Sequence, residues 1–144
     1  MNKKSSAYSR SRGSLMALCV AAAILAFTLL SVSCATKLPP IPEQIRSAEI
    51  IQKAQERSDI YDWKGAQYYY KALLERYPDD AGVVVEAMYE LAFIEYKQSH
   101  FEAAKAGFTA VLEKYAAPGG DALPPSWKIL SEKVLAKIPK PATK

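Results

Sequence analysis

The chain has 144 residues, room for one domain, and its 19 Lys and Arg against 15 Asp and Glu give a formal net charge of +4. That excess sits at one end: Lys3, Lys4, Arg10 and Arg12 precede Cys34, no acid does, and from Cys34 onward 15 basic residues face 15 acidic ones. The pI near 9.0 therefore belongs to the leader, and neither a basic patch on the rest of the chain nor a nucleic-acid partner is expected.

Residues 1–33 read as an export signal in three parts. A basic, Ser-rich stretch is followed by an apolar run from Leu15 to Leu30, then by Ser31, Val32 and Ser33 leading into Cys34. A retained membrane helix is the alternative, but the apolar run is at the short end for a span. The residues Leu30 to Cys34 resemble a relaxed form of the lipobox of bacterial lipoproteins, similar to the looser lipoboxes of spirochaetes. That resemblance implies cleavage before Cys34, acylation of Cys34 and attachment to a membrane through the acyl chains. Cys19 is the competing cysteine, but bulky Leu18 before it argues against cleavage there. With Cys34 acylated and Cys19 removed, neither a free thiol nor a disulfide is expected. Ala35, rather than Asp, follows Cys34. By the best-known lipoprotein sorting rule this implies the outer membrane, with the domain facing the periplasm.

Residues 34–42 form a lipidated tether in which Pro39, Pro40 and Pro42 favour an extended spacer. Thereafter the fold class is all-α, because no segment alternates with period two for long enough to make a strand. A first helix is predicted from Glu43 to Asp59, with Pro42 at its start. A second runs from Asp62, its N-cap, to Tyr77. Pro78, Asp79 and Asp80 make a turn into a third helix that ends near Gln98. Ser99 and His100 connect to a fourth, Phe101 to Tyr115. Residues 117–125 read as a loop, 126–138 as a C-terminal helix and 139–144 as a frayed tail.

The two helical pairs, about 43–80 and 81–116, repeat each other. Trp63, Ala66, Tyr70 and Leu73 recur as Phe101, Ala104, Phe108 and Val111, and Leu74-Glu75-Arg76-Tyr77 recurs as Leu112-Glu113-Lys114-Tyr115, every pair at the same separation along the chain. Aromatic, Ala and aromatic at i, i+3 and i+7 share a helix face, and the Ala admits a close neighbour. With Leu91 and Ala92 these residues form the expected repeat core. At this point the chain resembles the tetratricopeptide repeat (TPR) family, through Leu91-Ala92, Tyr96-Lys97-Gln98, Phe101, Ala104 and Phe108, and through Ala54, Trp63, Ala66, Tyr70 and Pro78. Lys53 and Arg57 stand where that pattern has apolar residues, and Ala116 replaces a second terminal proline. The runs Leu73 to Asp80 and Glu86 to Phe108 also resemble the first repeats of BamD-type lipoproteins of outer-membrane protein assembly.

The resemblance implies a concave face lined by the first helix of each pair. Its positions fall on Glu86, Tyr89, Phe93, Tyr96 and Lys97, and on Ala48, Ile51, Gln55, Ser58 and Asp59. Tyr89, Phe93 and Tyr96 make one aromatic stripe, suited to holding a peptide or helix of a protein partner. The alternative is that the C-terminal helix folds back over them, since Trp127, Ile129, Leu130, Val134 and Leu135 give it an apolar face. Tyr70 of the Tyr68-Tyr69-Tyr70 run is expected in the core. His100, the single histidine, has no companions spaced for a metal. No nucleophile–base pair and no phosphate loop are present, so no catalytic residue, metal or cofactor is expected. Two repeats are few for a solenoid, so the last helix should cap the open end, and an exposed edge would favour a permanent partner or a homo-oligomer. The expected function is a membrane-anchored interaction scaffold of the cell envelope, with a role in outer-membrane protein assembly as the specific reading. The alternatives are a subunit docking a periplasmic solute-binding protein and a structural lipoprotein linked to cell wall or division.

Overall fold

The computed structural model describes residues 38–139. The expected signal peptide, Cys34, the start of the tether and the end of the tail lie outside them. Five α-helices follow in order, α1 (Ser47–Asp59), α2 (Trp63–Arg76), α3 (Ala81–Lys97), α4 (Phe101–Ala116) and α5 (Pro125–Leu135), with a 3-10 turn at Gly120–Ala122. Among the described residues there is no strand, and no helix is long and apolar enough to cross a membrane.

Each helix packs on the next, and α5 also reaches α3. The α1–α2 and α3–α4 connections are the same turn, placed at equivalent points of the two repeats. Tyr61 and Ser99 both take the left-handed conformation, with φ of 60° and 63°. The amides of Tyr61 and Ser99 donate to the Ser58 and Tyr96 carbonyls, each at 3.0 Å, and those of Asp62 and His100 to the Arg57 and Glu95 carbonyls, each at 2.9 Å. This is the paired hydrogen-bond pattern that satisfies the last carbonyls of a helix when the residue after the cap turns left-handed. The repeat read in the sequence is thus a repeat of backbone geometry. Asp62 caps α2 as expected, and Asp80, at the end of the expected turn, caps α3; they accept from the Gly65 and Val83 amides at 3.0 and 3.1 Å.

The core follows the aromatic–Ala–aromatic spacing. Ala66, Tyr70, Leu73, Ala104, Phe108 and Val111 are fully buried, joined by Ile50, Ala54, Val85 and Ala92. Trp63, Leu91 and Phe101 are only partly buried and lie at its margin. Small residues set the spacing of α3 and α4: a methyl added at Gly107 would lie 2.6 Å from the Ala92 Cβ. Arg57, which replaces an apolar residue of the repeat pattern, is half-buried and reaches Asp62 at 3.3 Å, so its charge is answered locally.

Three sequence expectations are corrected. Helix one begins at Ser47, not Glu43, because the preceding segment is used as an extended strap: Ile41 and Ile45 are buried, and the carbonyls of Ile41 and Pro42 accept from Arg76 at 2.9 and 2.5 Å. The Tyr77 hydroxyl donates to the Ile45 carbonyl in the same strap. The Pro39–Pro42 part of the tether is therefore packed on α2 rather than a free spacer. The last helix begins at Pro125 and ends at Leu135, and it turns Trp127, Ser131 and Val134 inward while Ile129 and Leu130 remain 47% and 37% exposed. Residues 127, 131 and 134 recur at i, i+4 and i+7, the stripe that faces a neighbour.

In an exposed helix Gly→Ala gains about 1 kcal/mol. Gly107→Ala should do the opposite, costing about 1–2 kcal/mol in urea denaturation because α3 and α4 must part. Adding Ala92→Gly should recover most of the loss.

Candidate functional site

The residues expected to line a partner-binding face divide into a covered part and an open part. An aromatic ladder runs along α3, from Trp127 of α5 to Tyr89 (ring centroids 5.0 Å apart), then to Phe93 (5.9 Å), Tyr96 (6.0 Å) and Phe101 of α4 (6.0 Å). Tyr89 also packs on Phe108 at 5.5 Å and is 6% exposed. It is a core residue beneath the C-terminal helix, and its place in the open groove is corrected accordingly. Trp127 is the cause, since its ring lies against Tyr89 at that end of α3. Phe93 and Tyr96 are only partly buried, and Lys97 is exposed.

The open end is a cleft of 250 Å³ between the C-terminal end of α1, the start of α2 and the second half of α3. Ser58, Asp59 and Trp63 form one side, and Glu90, Phe93 and Lys97 the other. Glu86, Glu90, Phe93 and Lys97 recur at i, i+4, i+7 and i+11, which puts them on one stripe of α3. Tyr61, held left-handed by the repeated turn, is 70% exposed at the rim and meets Trp63 edge-on at 5.5 Å. The Lys97 ammonium stands 5.9 Å from the centre of the Phe93 ring, within range of an attraction between cation and ring face. Of the other expected groove positions, Ile51 is half-buried, Gln55 is exposed, Ala48 is exposed, and none of the three lines the cleft.

The electrostatics of the cleft are unbalanced. Glu86 and Glu90 have no ion-pair partner among the described residues. Burial, and then the nearby Glu86 charge, push the Glu90 carboxyl up to about 7, and burial raises Glu86 as well. The Tyr70 hydroxyl is raised by burial and by the Glu90 and Glu86 charges, and the nearby Ser58 hydroxyl pulls weakly the other way. The two hydroxyls are neighbours that do not reach hydrogen-bond geometry: Tyr70 is fully buried, and neither its hydroxyl nor that of Ser58 has a partner. Unanswered polar groups of this kind are uncommon in folded proteins. Elsewhere polar groups are matched: Glu95 binds His100 Nδ1 at 2.7 Å and Gln67 at 3.0 Å.

Glu90 was not singled out by sequence reasoning. The available signal was two like charges four residues apart in a mostly apolar helix, which marks an acidic stripe that tertiary packing half-buries. Among the described residues no group of three or more His, Cys, Asp and Glu could hold a metal ion.

No known protein family matches the chain, and no solved structure does. The chain is similar to an uncharacterized protein of Treponema pallidum (strain Nichols), 33% identical over 98 residues, which is 68% of this chain and 39% of the relative. The chain thus spans about two-fifths of the length of the curated relative it matches.

The Glu90 shift has a sign that can be measured. Its folded value, about 7, lies above the ordinary 4.5, so between those values the folded form holds a proton that the unfolded form has lost. Stability should therefore fall as pH rises from 4.5 through 7. Glu90→Gln should remove that slope, gaining about 1–2 kcal/mol in urea denaturation at pH 8 and little at pH 4.5. Parallel pH profiles for the two proteins would show that Glu90 is not held in this way.

Proposed function

We propose that this chain is a lipid-anchored protein of the cell envelope, whose TPR-like helical pairs act as a scaffold that binds a protein partner through the cleft beside Glu90 and Phe93. The observation that carries this reading is the cleft itself, lined by Tyr61, Trp63 and Phe93, with Tyr96 stacked beyond Phe93. Aromatic side chains at the margin of an open cleft supply contact area at small entropic cost, as partner-binding surfaces need. The same turn geometry at Tyr61 and Ser99, equivalent positions of the two pairs, supports the TPR-like reading. The leader and the relaxed lipobox before Cys34 support the lipid anchor, with the outer membrane favoured. A place in outer-membrane protein assembly rests on the resemblance to BamD-type lipoproteins. The chain catalyses nothing in this reading and acts by holding its partner near the membrane.

Two measurements test it. Cells given radiolabelled palmitate should label the protein, and Cys34→Ser should abolish the label and release the protein from the membrane fraction; a labelled Cys34→Ser protein would contradict the anchor. Tyr89 is unsuitable for probing the groove, because truncating a buried ring costs about 3–5 kcal/mol. Phe93→Ala with Tyr96→Ala should instead leave the circular dichroism spectrum helical while recovery of the crosslinked partner falls at least tenfold. Undiminished recovery would remove the cleft from the binding surface.

A further inference from the structure

We infer that the cleft between α1, α2 and α3 receives a basic side chain of the partner, arginine in the first place, against Glu90. This rests on the reading of the cleft as the partner-binding surface and specifies the chemistry it selects.

Three observations point to a cation. The first is the surplus of negative charge: Asp59 and Glu90 line the cleft, Glu86 lies one turn behind Glu90, and among the described residues Lys97 at the rim is the one basic residue that lines it. Glu86 and Glu90 are half-buried and unpaired, and a carboxylate withdrawn from water is stabilised when an opposite charge with hydrogen-bond donors reaches it. The second is a pair of unanswered hydroxyls behind the carboxylates. The Ser58 and Tyr70 hydroxyls are sealed from solvent without a partner, Ser58 in the wall of the cleft and Tyr70, itself 0% exposed, close behind it in the field of Glu90 and Glu86. Neither donates to Glu90 or Glu86, so the donors these carboxylates lack must come from the open side of the cleft, and a guanidinium carries five donors and no acceptor. The third is the position already taken by Lys97, whose ammonium stands over the Phe93 ring at the cleft's edge. Lys97 follows Phe93 by one helical turn, and the contact shows a ring face open to a cation.

Arginine fits this arrangement better than lysine. Its flat group can lie on the Phe93 or Trp63 ring while its edge reaches the Glu90 carboxylate, and it is less strongly hydrated than an ammonium. An anion or an acidic segment would meet the unpaired carboxylates and be repelled.

The test uses the full chain in detergent micelles and two fluorescein-labelled peptides, identical except for a central arginine in one and citrulline, its uncharged analogue, in the other. Fluorescence anisotropy should show the arginine peptide binding at least tenfold more tightly. Glu90→Gln removes a charge that burial disfavours and so leaves the fold intact; it should reduce that preference below threefold. Glu113→Gln, which removes an exposed carboxylate of α4 away from the cleft, should leave the preference in place. Equal binding of the two peptides, both lost in Phe93→Ala, would overturn the cation assignment while leaving the cleft as a peptide-binding surface. Failure of both peptides to bind at millimolar concentration would overturn both. An arginine preference that persists in Glu90→Gln would place the cation elsewhere.

Discussion

Tyr89 is where the inner face of α3 stops being a surface. Its ring is held between Phe108 of α4 and Trp127 of α5, and stacks on Phe93 along its own helix. Because α5 reaches α3 through Trp127, the first half of that face is core and the second half is open. The position of the cleft follows: it begins where the cover ends, beside Phe93, and it is closed on the other side by the turn that carries Tyr61 and Trp63. A close-packed interior tolerates little adjustment at such a junction, so the same contact that fixes the last helix also fixes the extent of the cleft.

The turns at Tyr61 and Ser99 give the second constraint. Left-handed φ values are costly for residues with a Cβ, yet the chain adopts them at matching positions without using glycine at either. At Ser99 the result is a tight connection and little else. At Tyr61 the same backbone lifts an aromatic ring to the rim of the cleft, where Trp63 supports it. One structural repeat has thus been given two surfaces, and only the first is placed to shape the cleft together with the acidic stripe of α3.

Much of the fold was legible in the sequence, for local reasons. The Trp63–Ala66–Tyr70 and Phe101–Ala104–Phe108 spacings, the Asp62 cap, the turn at Pro78 to Asp80 and the constant offset between the two pairs are signals of this kind, and each has its counterpart in the structure. What depends on distant contacts was not legible. Pro42 gave an ordinary helix-start signal, but Arg76 and Tyr77, at the far end of the second helix, capture the carbonyls of Ile41, Pro42 and Ile45 and hold the segment extended. Periodicity allowed Ile129 and Leu130 to face inward, whereas packing selected Trp127, Ser131 and Val134. The aromatic stripe was visible, but which of its members the distant C-terminal helix would cover was not. Glu90 escaped notice because a glutamate on a helix ordinarily faces water, and only the approach of α1 and α2 withdraws it.

The claim that the cleft, rather than another face, meets the partner is tested most directly by placing a photoreactive benzoylphenylalanine at single positions in living cells. Position 93, at the cleft, and position 106, on the exposed outer side of α4, make the comparison. The account predicts a protein crosslink from position 93 and none from position 106. Crosslinking from position 106 with none from position 93 would contradict it.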